Sequence, residues 1–105
     1  MEDEVRTMIE NAKITGTELG GDERGPSFWL YLDYGGSGQG FGGYRLGGEF
    51  THYVIMGILD TLEIARWEDL KGKPCRAKIE DGTIVSVGHY LKDQWFTPKE
   101  YNDGN

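Results

Sequence analysis

Val5, Met8 and Ile9 fall at helical spacing among Glu2, Asp3, Glu4 and Arg6, which predicts one amphipathic turn or a frayed segment in an acidic extension, residues 1–10. From Asn11 the pattern changes. Ala12-Lys13-Ile14-Thr15-Gly16-Thr17-Glu18-Leu19 alternates small or apolar residues with polar ones, and the turn formers from Gly20 to Pro26 follow, so a strand and a loop are expected. Phe28, Leu30 and Leu32 alternate with Trp29, Tyr31 and Asp33. Both faces of this second strand are largely apolar or aromatic, which implies cover on both sides.

Glycine fills 8 of the 14 positions from 35 to 48, and no helix survives that composition. So many glycines need a reason, either positive φ at turns or close approach of the backbone to something else. Within the run, Tyr44-Arg45-Leu46 continues as an extended segment. Phe50, Val54, Ile58 and Leu62 then repeat every four residues, with Ile55 and Leu59 widening the stripe, which predicts a helix from 49 to 62 that Gly57 weakens locally. Residues 65–74 read as a short helical turn stopped by Gly72, with Pro74 beyond it. Asp81-Gly82 between two β-rich runs is a strong hairpin signal. A plain two-residue loop there would set Ile79 opposite Ile84, Ala77 opposite Ser86 and Cys75 opposite Gly88, and on the other face Lys78 opposite Val85 and Arg76 opposite Val87. The fold class is therefore α+β: an N-terminal antiparallel sheet over 11–46, one main helix packed on it, and a C-terminal β-hairpin over 75–90, in a single domain over 11–105.

At 105 residues the chain suits one domain with little stability margin, so a homo-oligomer, dimeric at least, is expected. The net charge of -7 argues against a DNA or RNA polymer or an anionic membrane as partner. Charge is unevenly placed, because residues 65–99 carry five acids against seven bases. A small anion therefore has a locally positive region to meet. One cysteine, Cys75, cannot close an internal disulfide. The acidic start lacks the basic then apolar pattern of a secretory signal, so a cytoplasmic location is expected.

Gly38-Gln39-Gly40-Phe41-Gly42-Gly43 satisfies the dinucleotide fingerprint G-x-G-x-x-G, but no strand-turn-helix-strand unit surrounds it. Cys75, Ser27, Ser37 and Ser86 with His52 or His89 form no nucleophile elbow, and Cys75 lies on a predicted core face. Two isolated histidines and one cysteine supply no spaced ligand set, so neither a metal nor a cofactor is expected. What remains suits a nucleotide-like anion. Phe41, Tyr44, Trp95 and Phe96 offer rings for a base, Arg45, Arg66, Arg76, Lys78 and Lys92 offer charge for phosphates, and glycine N–H groups can line an anion nest. Taken singly, Phe41, Trp95 and Phe96 read more simply as core in a chain short of aliphatic residues.

Asn11-Ala12-Lys13-Ile14-Thr15, Gly40-Phe41-Gly42-Gly43-Tyr44 before a helix, Trp67-Glu68-Asp69-Leu70-Lys71-Gly72, and Gly88-His89 with Lys92-Asp93 and Trp95-Phe96 form a distinctive set over about residues 11–98. Together they resemble the first-described Thoeris anti-defence family of phage proteins. The resemblance implies a sponge in the host bacterial cytoplasm, one that sequesters cyclic ADP-ribose isomers made by bacterial TIR enzymes and does not cleave them. It also implies a possible second ligand class, cyclic oligonucleotides, and assembly as a dimer or a trimer of dimers. Motif positions combined with chemistry give the expected ligand-binding set: Phe41, Gly42, Gly43, Tyr44, Arg45, Arg76, His89, Lys92, Asp93, Trp95 and Phe96, with no catalytic residue. Two rival classes are an enzyme that degrades such a signal and an inhibitor of a bacterial defence system that works through protein contact.

Overall fold

A computed structural model describes residues 6–23, 25–45 and 48–98, except the side chains of residues 22, 44, 45 and 48. Among the described residues, six strands form one antiparallel sheet in the order β3-β2-β1-β4-β5-β6, and one α-helix lies against its inner face. The strands are β1 (Thr7–Asp22), β2 (Gly25–Tyr34), β3 (Ser37–Arg45), β4 (Pro74–Glu80), β5 (Thr83–Gly88) and β6 (Trp95–Phe96), and the helix is α1 (Gly48–Leu62). The α+β class, the helix and the C-terminal hairpin are as the sequence pattern predicts.

Three local expectations are corrected. Residues 7–10, expected as a helical turn or a frayed end, are the first part of β1, where Thr7 to Lys13 pair with β4 and Lys13 to Asp22 pair with β2. Pairing with β4 decides the conformation there, since β1 is the strand that joins the hairpin to the N-terminal strands in one sheet. Gly20, Gly21, Gly25 and Pro26 are strand residues around a much tighter turn than the seven-residue loop expected. In the hairpin, Ile79 does oppose Ile84, but a bulge after Lys78 then sets Lys78 opposite Ser86, Ala77 opposite Val87 and Arg76 opposite Gly88. The bulge keeps Ala77 and Val87 together on the buried face. Asp81 and Gly82 both have positive φ, as the tight turn between twisted strands requires.

The inner face of the sheet carries Ile14, Phe28, Leu30, Leu32, Phe41, Cys75, Ala77 and Val87, which pack with Val54, Ile58, Leu59 and Leu62 of α1. The helix ends in a hydrogen-bonded αL cap. Glu63 has φ 60, its N–H donates to Asp60 O at 3.2 Å, and the Ile64 N–H donates to Leu59 O at 3.0 Å. The sheet also curls. β3 and β5 have three strands between them, yet the Gln39 side chain donates to Gly82 O and accepts the Ile84 N–H, both at 3.0 Å.

On the outer face, Trp29 and Tyr31 lie side by side, with centroids 6.3 Å apart and planes 8° from parallel. A Cβ at Gly40 would stand 2.9 Å from the Trp29 ring, and one at Gly43 2.7 Å from it. Close approach is therefore what this part of the glycine run is for. Trp29 thus lies over its glycine-paved neighbour, while Tyr31 on the same face is exposed, so among the described residues the cover expected over the outer side of the second strand is not present in the single chain.

Candidate functional site

The loop from β5 to β6 collects most of the charged residues that the sequence singles out. Arg76, on the outer face of β4, braces it, as its Nε donates to His89 O at 2.9 Å and its Nη2 to Lys92 O at 2.7 Å. His89 folds the loop from within, because Nδ1 accepts the backbone N–H groups of Leu91 and Lys92 at 3.0 and 3.1 Å. A nitrogen that accepts bears no proton, so in the neutral ring Nε2 carries it. That atom faces Glu63 Oε1 at 3.7 Å, and Lys92 Nζ bonds Glu63 Oε2 at 2.7 Å. Gln94 adds a second tie to the end of α1 through Thr61 O at 3.0 Å.

Glu63 thus fastens the loop to the helix. It occupies the αL position that usually takes glycine, where a side chain costs roughly 1 kcal/mol, and its carboxylate is what the loop cations meet. The hydrogen bond from Lys92 is the main cause that holds the Glu63 carboxyl below the ordinary carboxylate range, with Gln94 and the charges of Lys92 and His89 acting the same way against partial desolvation.

Trp95 crosses the outer face of Gly88, where a Cβ would come within 2.7 Å of its ring. The Arg76 guanidinium lies 4.9 Å and the Lys78 ammonium 5.1 Å from the ring centroid, and the indole N–H donates to Asp93 Oδ1 at 3.2 Å. Beside the loop is a cleft of about 260 Å³ lined by Leu62, Glu63, Ile64, Lys73, Pro74, His89, Tyr90 and Leu91. Tyr90 and Leu91 are exposed, Leu91 at 81%. The cleft offers an anion Lys73 and the His89 Nε2–H beside an exposed phenol ring, and Lys92 stands next to it on the loop; the last two face Glu63.

The predicted ligand set divides. Arg76, His89, Lys92, Asp93 and Trp95 come together around the loop. Phe96 turns inward from β6 and Phe41 inward from β3, at 5% and 1% exposure, and both are core residues. Gly42 and Gly43 belong to β3, at the other end of the strand order, with φ of 138° and 79°. The side chains of Tyr44 and Arg45 lie outside the described residues. Arg66 is exposed and pairs with Asp69 at 3.4 Å. Glu63, Lys73 and Tyr90 were not singled out by the sequence; only Glu63 had a usable signal, an acid directly after the last apolar position of the helix.

The G-x-G-x-x-G run is an antiparallel edge strand, so it lacks the setting a dinucleotide fold needs. Among the described residues, no group of three or more His, Cys, Asp or Glu is placed to hold a metal ion, and no helix is long and apolar enough to cross a membrane. Comparison with protein-family models, with curated proteins and with solved structures finds no match.

Proposed function

We propose that this protein binds and holds a small cyclic nucleotide signal of the cyclic ADP-ribose type, at the loop between β5 and β6, without cleaving it. The observation that carries the reading is the braced loop in an otherwise acidic chain: Lys73 lines the cleft from just before β4, and Lys92, the His89 Nε2–H and the Tyr90 ring stand on a backbone that Arg76 and His89 fix. Phosphate oxygens accept from the first three, in competition with Glu63, and the base stacks on Tyr90. Two features favour holding over cleavage. The His89 Nδ1 lone pair is engaged by two N–H groups, which leaves it unsuited to take a proton from a nucleophile. The Cys75 thiol is buried and its pKa is pushed up to about 12 by desolvation, which keeps it a thiol.

The same reading includes self-association in the host cytoplasm, through the outer face of the sheet, where Tyr31 is exposed beside Trp29 and Ile9 is exposed further along β1. Light scattering should give a mass at least twice 11.8 kDa, and the monomer mass at micromolar concentration rejects it.

Calorimetry with cyclic ADP-ribose, followed by heating and chromatography of the released ligand, tests the main reading. Lys92→Ala and Lys73→Ala are expected to weaken binding by about 10-fold or more. Glu63→Gln is expected to tighten it, because the competing carboxylate is gone. Recovery of ligand fragments would instead mark an enzyme, and native affinity in every folded variant would place the pocket elsewhere.

A further inference from the structure

A second cleft, larger than the one beside the loop, lies at the opposite end of β4. A cleft of about 580 Å³ opens between the start of β1, the end of β2 and the β4–β5 turn, lined by Arg6, Met8, Tyr34, Ile79, Asp81 and Gly82. It exists because the sheet curls, and the mouths of curled and closed sheets are common places for small ligands. Gln39 closes one side of it through Gly82 O and the Ile84 N–H. The same amide donates to the Tyr34 hydroxyl oxygen at 3.3 Å, so that hydroxyl accepts from Gln39 and keeps its own hydrogen to donate.

The rim is held as well. Asp81 Oδ1 accepts the Arg6 backbone N–H at 3.3 Å, and the Asp81 N–H donates to Arg6 O at 3.0 Å, so the start of β1 is tied to the turn. Among the described residues no carboxylate pairs with the Arg6 guanidinium. Met8 and Ile79 give the cleft an apolar lining, and Met8 is half exposed there at 48%.

We propose that this cleft is a second binding site, one that takes a monoanionic carboxylate carried on a compact apolar body. The planar fork of Arg6 matches a carboxylate, the Tyr34 hydroxyl supplies another donor, and the apolar body lies on Met8 and Ile79. Asp81 sets the charge limit. The Asp81 carboxylate already offsets the Arg6 charge, so each negative charge on a ligand is repelled by Asp81; a monoanion meets that repulsion once, whereas a phosphate monoester or a pyrophosphate adds further charge against it. The site shares no residue with the loop at the other end of β4, so it stands or falls independently of the nucleotide reading.

The test uses ¹⁵N-labelled full-length protein titrated with three probes: phenylacetate, its neutral amide phenylacetamide, and phenyl phosphate. Phenylacetate is expected to shift the amides of Met8, Ile79, Asp81 and Gly82. Phenylacetamide at equal concentration should leave them in place, and phenyl phosphate should bind more weakly than the carboxylate. Arg6→Gln is expected to weaken phenylacetate by about 10-fold or more, and Tyr34→Phe by several-fold. Asp81→Asn keeps a turn-forming Asn-Gly pair and removes the rim charge, so phenyl phosphate should gain affinity in that variant. Should Arg6→Gln prove unstable, Arg6→Lys keeps the charge and loses the fork, and it must still bind phenylacetate less tightly. The proposal is overturned by shifts confined to residues 89–95, by no shift with any probe, by unchanged affinity in the Arg6 variants, or by phenyl phosphate binding the native protein as well as phenylacetate.

Discussion

Gly57 lies directly beneath the ring of Phe96: a Cβ added at Gly57 would run into Phe96 Cε1, with Cδ1 only 2.6 Å away. A glycine in mid-helix costs about 1 kcal/mol relative to alanine, so its presence in α1 calls for a compensation, and the compensation is contact with β6. Phe96 also packs against Tyr53 with centroids 5.2 Å apart, so the ring is held between two successive turns of the helix. Gly57→Ala should therefore destabilise the protein by about 1–3 kcal/mol despite its better helix propensity, because overpacking outweighs the propensity gain. Chemical denaturation measures this; a more stable variant would show that the helix can shift off Phe96 at no cost.

A second glycine relationship is readable in the same way. Trp29 lies over Gly40 and Gly43, and Gly43 in addition has φ 79, so a side chain there meets both the ring and an unfavourable backbone. Gly43→Val should be strongly destabilising, whereas Gly36→Ala, where the space is open, should cost only the price of positive φ, about 1 kcal/mol. Trp29→Ala should cost about 2 kcal/mol through lost apolar contact, and should relieve the steric part of the Gly43 penalty. A double-mutant cycle on Trp29 and Gly43 reads that coupling, and strict additivity would contradict the close approach.

The elements legible in the sequence are those with a local signal. The period-four stripe from Phe50 to Leu62 specified α1, and Asp81-Gly82 specified the hairpin. What stayed hidden was non-local. Val5, Met8 and Ile9 suggested helical spacing, but pairing with β4 sets the conformation of residues 7–10, and no nearby residue announces that partner. The register bulge after Lys78 is likewise decided by which side chains the core receives. Of the site, Arg76, His89 and Lys92 could be chosen by charge, but their roles could not be read. Arg76 and His89 spend their polar atoms on loop carbonyls and N–H groups, an arrangement that depends on how the chain returns from β5 to β6.

Cys75 gives a direct check on the core. Its thiol is fully enclosed and its pKa is raised to about 12 by burial, so both access and thiolate fraction are low. At pH 8 the native protein should react with a maleimide far more slowly than the same protein in denaturant, by at least about 100-fold, with the rate following global or sub-global opening. Rapid labelling without denaturant would mean that β4 is not packed as described.

The bond between Lys92 and Glu63 makes the loop's attachment depend on pH in a definite direction. Lys92 holds the Glu63 carboxyl below its ordinary range, so the folded state binds the proton less readily than the unfolded chain does. The resulting stabilisation is present in full above the unfolded carboxyl value and is lost as pH falls through the lowered folded one. Lys92→Ala removes the main cause of the shift, so the difference in stability between native protein and variant should be greatest near neutral pH and should shrink as pH drops through the acid range. Because both side chains are largely exposed, salt should also reduce that difference. Amide exchange in residues 90–94 should quicken in the variant at pH 7, while the same amides in the native protein quicken only on acidification beyond the intrinsic pH dependence of exchange. A difference between the two proteins that grows toward low pH, or native loop amides indifferent to acid, would show that Glu63 does not hold the loop.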